Sequence, residues 1–417
     1  MTPFLQLALL IATLLVATKL AGYLSTLAGQ PSVLGELLVG LLIGPSVIDL
    51  LHLPLFSDHL LPEFVEHLAE IGVLLLMFVA GLELHFSELA RNVRVSALAG
   101  LLGVVIPVGL GYSIGAAFGY SFELSLFLGL ALGATSVSIS AQTLIELRAL
   151  RSRVGLGLLG AAVFDDILVI LTLSAFLAIL AGEAGLGAII MIFLRILIFL
   201  LLSVAFGLWV LPVLVRRVAR LPISQGVLTL ALVTMLLYGF AAEVLGGMAA
   251  ITGAFLAGLM FARSPEKDRL ERGVTSVAYS FFVPIFFVNI GLTVNVRELD
   301  PTVGWLFLAI TLAAIVGKLF GAAFGARLAQ FSWRESFQLG AGMISRGEVG
   351  LILASVGVGQ NVLTSGEFSA IVGMVLVTTL VTPPLLRALF ARGQLAPATQ
   401  APELPVEKPK ILDEEIS

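Results

Sequence analysis

Asp165 and Asp166 stand side by side in Gly-Ala-Ala-Val-Phe-Asp-Asp-Ile-Leu-Val-Ile, with apolar sequence on both sides. A charge at the centre of a membrane-spanning helix costs about 2.5–3.5 kcal/mol on insertion scales, so each needs a reason to be there. Neighbouring carboxylates in a low dielectric repel, and a pair that exchanges a proton relieves that repulsion. Adjacent helical residues point about 100° apart, so the two cannot share one small target equally. One is expected to face an ion cavity and the other a protein partner. The plain alternative is a structural pair neutralised by helix packing.

Lys318 is a second buried charge, in Ala-Ile-Val-Gly-Lys-Leu-Phe-Gly. An unpaired ammonium there would lose its proton or be expelled, so it needs a carboxylate, and Asp165 or Asp166 is the natural one. Arg346 and Glu348 flank Gly347 in Gly-Met-Ile-Ser-Arg-Gly-Glu-Val-Gly (342–350). They are expected to balance charge, pairing with each other or with Glu83. Glu36 is mid-hydrophobic without an evident partner, while Arg195 and Glu243 fall near span ends and receive no site role.

Two segments place these charges. Residues 134–140 read Ala-Thr-Ser-Val-Ser-Ile-Ser where a continuous apolar helix would be expected, and residues 342–350 carry three glycines and two charges. Hydroxyl side chains compete for backbone hydrogen bonds and glycine weakens helices, so both read as breaks. Breaks survive in a bilayer only where protein or a water-filled cavity satisfies the freed backbone groups. They fall in spans seven apart, which run in opposite directions. Matched breaks so placed fit an inverted-topology repeat whose half-helices meet near the midplane and frame an ion site. Close packing of small residues is the competing explanation.

Composition requires the membrane. Hydrophobic residues are 59% of the 417 and charged residues 12%, against about 25% charged in soluble domains; mean hydropathy is +1.09. Thirteen spans are expected near 4–27, 32–51, 64–84, 93–119, 122–146, 153–182, 186–216, 223–245, 248–263, 273–294, 302–329, 334–360 and 365–391. With loops numbered by the span they follow, odd loops hold Arg91, Arg94, Arg148, Arg151, Arg153, Arg216, Arg217, Arg220, Arg263, Lys267, Arg269, Arg272, Arg327 and Arg334. Even loops hold Arg297 alone. By the positive-inside rule the N-terminus is expected outside and the C-terminus in the cytoplasm. The first span is read as retained, since it has no basic leader and no cleavage site. The Pro/Glu/Lys-rich residues 394–417 are expected to form a short disordered cytoplasmic tail.

With no cysteine, no phosphate-binding loop and no clustered histidines, the sequence offers no cofactor site, no resident metal site, no nucleic-acid partner and no catalytic constellation. An enzyme is not expected. Monovalent cations (Na+, Li+ or K+), protons and lipid are the expected partners.

The chain resembles the monovalent cation:proton antiporter-2 family, and within it the NapA/GerN-like sodium–proton antiporters. The resemblance covers residues 1–393 and rests on Gly-Glu-Leu-Leu-Val-Gly-Leu-Leu-Ile-Gly-Pro-Ser near the start, Phe-Val-Ala-Gly-Leu-Glu-Leu at 78–84, the 134–140 segment, the Asp pair, Val-Gly-Lys-Leu-Phe-Gly at 316–321 and Ser-Arg-Gly-Glu-Val-Gly-Leu at 345–351. It implies an all-α fold of the NhaA/NapA type with two crossed discontinuous helices, in a prokaryotic-type inner or internal membrane. It also implies a homodimer, with a core bundle at about 64–182 and 302–391 and dimerisation helices at about 4–51 and 186–294. On the family pattern Asp166 binds the cation and the proton, Asp165 pairs with Lys318, Thr135 and Ser136 lie in the unwound segment beside the ion, and Glu348 is a core glutamate. Glutathione-gated potassium-efflux relatives resemble Gln-Asp at the pair and electroneutral exchangers Asn-Asp, so Asp-Asp with the lysine resembles the electrogenic pattern. The implied activity is Na+/H+ exchange serving pH homeostasis and salt tolerance. K+/H+ exchange on the same fold is the first alternative, and a cation channel or a sodium-coupled symporter are more distant ones.

Overall fold

The computed structural model describes residues 1–83, 92–180, 186–293, 297 and 303–391. All helices of the described residues follow in order: α1 Pro3–Leu27, α2 Ser32–Ile43, α3 Leu61–Leu82, α4 Val93–Ala117, α5 Phe122–Gly133, α6 Val137–Glu146, α7 Arg153–Leu180, α8 Leu186–Ala205, α9 Leu211–Val218, α10 Gly226–Ala241, α11 Ala250–Phe261, α12 Lys267–Val277, α13 Val283–Leu292, α14 Gly304–Leu328, α15 Trp333–Gly342, α16 Glu348–Gly359 and α17 Ser365–Ala391. Wide π turns at Phe206–Val210 and Ala278–Phe282 join α8 to α9 and α12 to α13, and a third, Ala242–Gly246, extends α10.

Among the described residues, ten helices are long and apolar enough to cross a membrane, with α5 and α6, α8 and α9, and α12 and α13 each counted together. Three of the thirteen expected spans enter as shorter apolar helices: Ser32–Ile43, Ala250–Phe261 and Val349–Val358. The second expected span, 32–51, stops early because Gly44 turns extended ahead of Pro45, and the residue before proline disfavours the helical conformation. The expected tail, 394–417, and Arg91 lie outside the described residues.

The helices pack as two groups. In the first, α1 and α2 lie with α13, and α3 lies against α11 and α13. In the second, α4 is wedged between α5, α7 and α14, and α14 also meets α15 and α17. Lipid tails are as apolar as leucine, so small residues that let backbones approach hold such helices together. A Cβ on Gly81 of α3 would lie 2.2 Å from the Phe255 carbonyl of α11, and one on Gly258 of α11 would lie 2.1 Å from the Phe78 carbonyl of α3. On α14, Gly321 and Gly325 press in the same way on the Leu102 and Leu98 carbonyls of α4. Helix α3, expected at the edge of the core bundle, is thus bound by backbone contact to α11.

Half-helix α6 lies between the groups. At its far end Glu146 accepts from Ser32, through the backbone N–H (2.7 Å) and the hydroxyl (2.6 Å), and Gln142 accepts from the Tyr279 hydroxyl (2.8 Å). The Tyr279 carbonyl in turn accepts from Lys19 at 2.9 Å. The charge of Lys19 also acts on the buried carboxylate of Glu36. Exposed apolar rows such as Leu5, Leu9, Val16 and Leu20 on α1, and Leu194, Leu197 and Leu201 on α8, face outward. Such surface is suited to lipid and unsuited to water.

Candidate ion-exchange site

Both expected breaks are present, and they touch. Helix α5 ends at Gly133, Ala134 and Ser136 are extended, and α6 starts at Val137. Helix α15 ends at Gly342 and α16 starts at Glu348. The Ser136 N–H donates to the Ser345 carbonyl at 2.9 Å, and the Ser140 hydroxyl donates to the Gly342 carbonyl at 2.5 Å. Each unwound segment therefore satisfies backbone groups that the other leaves without partners, which is what a lipid-embedded break requires. A Cβ on Gly347 would lie 2.7 Å from the Ser136 hydroxyl oxygen, so the crossing is as close as backbone permits.

Arg346 completes the satisfaction of the breaks. Its guanidinium is fully buried and donates to the carbonyls of Ile344 (2.6 Å), Leu132 (2.6 Å) and Ala314 (3.1 Å). Leu132 is in the last turn of α5, where carbonyls lack intrahelical donors and the helix dipole is negative. The rigid fork of arginine suits three such acceptors. The Arg346 carbonyl itself accepts from the Thr379 hydroxyl of α17. Of the two expected partners of Arg346, Glu83 does not meet it among the described residues: the charges acting on Glu83 are those of Arg151, Glu271 and Lys267. Its site at the end of α3 puts it in the first helix group, away from the crossing. The side chain of Glu348 lies outside the described residues.

The two aspartates diverge as the helical geometry requires. Asp165 is fully buried and its Oδ1 accepts from Lys318 Nζ at 2.5 Å. Gly100 of α4 and Gly317 of α14 make room for this pair: a Cβ on Gly100 would lie 2.8 Å from the Phe164 Cβ and one on Gly317 would lie 3.2 Å from Pro107 Cα. Thr135 neighbours Asp165, and the Arg346 charge also acts on it. Asp166 is only half-buried and turns the other way, toward α11, where its Oδ2 accepts from the Thr252 hydroxyl at 2.9 Å. Around Asp166 runs a narrow cleft lined by α3, α6, α7 and α11. The charges of both aspartates act on Lys318.

Two buried polar atoms at the crossing, Ser345 Oγ and Arg346 Nε, have no hydrogen-bond partner among the described residues, and Thr135 Oγ1 has only the Asp165 carboxylate. Such atoms are rare in folded proteins. Ser136 is buried at the same point, its hydroxyl 2.9 Å from that of Ser138. The crossing thus brings Asp165, Asp166, Thr135, Ser136, Lys318 and Arg346 together, and leaves Glu83 apart. Thr252 and Thr379 join it without having been singled out in the sequence, where a lone threonine in an apolar helix carries no signal. Arg195 bonds the Val244 and Leu245 carbonyls and belongs to the packing of α8 on α10.

Residues 10–392 match the profile of the sodium/hydrogen exchanger transmembrane region. The chain is 40% identical over 380 residues to the Na(+)/H(+)-K(+) antiporter GerN of Bacillus cereus, covering 91% of this chain and 95% of that one. It is 34% identical over 385 residues to a Na(+)/H(+) antiporter of Enterococcus hirae, covering 91% and 96%. The structure of a sodium proton antiporter from Methanocaldococcus jannaschii at pH 8 shares the fold, with a TM-score of 0.67 at 18% identity over 94% of this chain and 99% of that one. The chain is a member of the sodium/hydrogen exchanger family.

Proposed function

We propose that the protein is a secondary antiporter that exchanges a monovalent cation, Na+ first, for protons, with Asp166 as the shared binding group. The observation that carries this reading is the divergence of the aspartates. Asp165 is committed to Lys318 inside one helix group, while Asp166 stands in the cleft between the two groups. A carboxylate at that boundary can be offered to either side of a membrane when the groups shift against each other.

In this reading α4–α7 and α14–α17 form the moving core, and α1–α3 and α8–α13 form the scaffold through which two copies dimerise. Helix α3 joins the scaffold because its Gly81 and Gly258 of α11 bring the two backbones into close approach. An ionised Asp166 takes a partly dehydrated cation with oxygens of Thr135 and Ser136 beside it. A proton on Asp166 removes the charge the cation needs, so one excludes the other and coupling needs no separate gate. The cation's charge next to the Asp165–Lys318 pair weakens the ammonium's hold on its proton. Loss of that proton gives a cycle that moves net charge. The protein is oriented with its N-terminus outside and its C-terminus in the cytoplasm.

Exchange of K+ is a second reading, favoured by the name of the Bacillus cereus relative, which includes K+. Everted vesicles carrying the protein, loaded with an acid-interior gradient, separate the two. Addition of Na+ or Li+ is expected to release protons at lower concentrations than K+. Proton release by K+ alone would make the protein a K+/H+ exchanger, and release by none would overturn antiport.

A further inference from the structure

Asp166 is held from across the cleft. Its Oδ2 is bonded by Thr252, in the first turn of the scaffold helix α11. That helix is packed tightly on its scaffold neighbours. A Cβ on Gly253 would lie 2.1 Å from the Tyr238 carbonyl of α10, and Gly258 is just as close to Phe78 of α3. The Thr252 hydroxyl is therefore a fixed point of the scaffold, buried at the cleft wall.

Of the residues lining the cleft, Asp166 and Thr252 carry the polar side chains, and Met77, Val163, Ile251 and Phe255 are among the apolar remainder. A cation that leaves its water to bind Asp166 thus meets, on the scaffold side and among the described residues, the side-chain oxygen of Thr252. A hydroxyl has one proton and two lone pairs. The oxygen that donates to the carboxylate when no cation is bound accepts a cation once its proton turns away. Two oxygens 2.9 Å apart have the spacing of adjacent ligands around a hard cation held at about 2.4 Å.

We propose that Thr252 is the scaffold's ligand to the transported cation, completing the shell around Asp166 only while core and scaffold hold this register. The proposal rests on Asp166 being the ion carrier. When the core shifts, the hydroxyl stays with α11 and the cation exchanges it for water. The cation is then bound most tightly in the middle of its passage and released at the ends. A residue on the non-moving helix thereby sets both affinity and the choice among cations of different radius.

The test is the apparent Na+ and Li+ affinity of T252V, T252A and T252S in proteoliposomes at fixed alkaline pH. T252V keeps the shape and loses the oxygen. Its Na+ KM is expected to rise about tenfold, the scale of one polar contact to a charge, with an altered Na+/Li+ ratio. T252S is expected to stay within about twofold of the parent. A parental KM in T252V would overturn the proposal, and so would T252S as impaired as T252V, since that result marks a packing role. Should T252V assemble poorly, T252A removes the same oxygen with less strain and reads the same KM. D166N run alongside separates the two levels: an inactive D166N with a parental T252V removes Thr252 alone, whereas an active D166N removes the carrier reading itself.

Discussion

Replacing Asp166 by asparagine is expected to lower cation-driven proton movement by about two to three powers of ten. Removing one partner of a buried charge pair costs about 3–5 kcal/mol, and each 1.4 kcal/mol is a factor of ten in occupancy. Asparagine keeps the size of the side chain and a carbonyl oxygen for the Thr252 hydroxyl, so the contact across the cleft survives. Asparagine also cannot carry the exchanged proton. Both substrates are lost in one substitution while the helices stay packed. Everted vesicles with matched amounts of protein provide the measurement. Retention of a tenth or more of the parental rate would place the ion elsewhere.

Lys318→Gln acts first on the fold. Lys318 and Asp165 are both fully buried and meet at 2.5 Å, so the substitution leaves a carboxylate without its cation in the low-dielectric interior. The expected loss is about 3–5 kcal/mol of stability, read as a lower melting temperature of the detergent-solubilised protein. The double variant D165N/K318Q removes both charges, and a neutral pair of similar shape is often no worse than an ion pair. It is expected to recover most of the loss, a coupling that a double-mutant cycle measures directly. Equal losses in single and double variants would show that the pair contributes nothing as a pair. The same variants report on transport: without the titrating ammonium, the charge moved per cation in solid-supported membrane recordings is expected to fall. Unchanged charge movement would take Lys318 out of the proton cycle.

Much of this site was legible in the residue types. Charges are so costly in a bilayer that Asp165, Asp166, Lys318 and Arg346 each announced a partner, and Ser/Thr and Gly runs announced the breaks. The 100° between adjacent helical residues required the aspartates to part company, but residue types alone left open which of them met Lys318. The contact of Oδ1 with Nζ resolves that in favour of Asp165. Arg346 was expected to balance charge, and its charge does act on Asp165, but its hydrogen bonds go to backbone carbonyls, which no side-chain pattern displays. Glu83 was drawn to the site by hydrophobic position alone, whereas its neighbours are the charges of a different helix end. The core bundle implied by the resemblance, at about 64–182, included α3, and the backbone approaches of Gly81 and Gly258 show its contact with α11. Thr252 was invisible for a related reason: its meaning lies in the helix opposite.

Competition of cation and proton for Asp166 is tested most directly by the Na+ dependence of exchange at several pH values in proteoliposomes. For one site and one displaced proton, the apparent Na+ KM rises about tenfold for each unit the pH falls through the range where protons hold the site, and more steeply where the Lys318 proton leaves as well, while the rate at saturating Na+ is unchanged. A KM that stays constant while the saturating rate falls with pH would contradict competition, and would assign the pH response to a group other than the carrier.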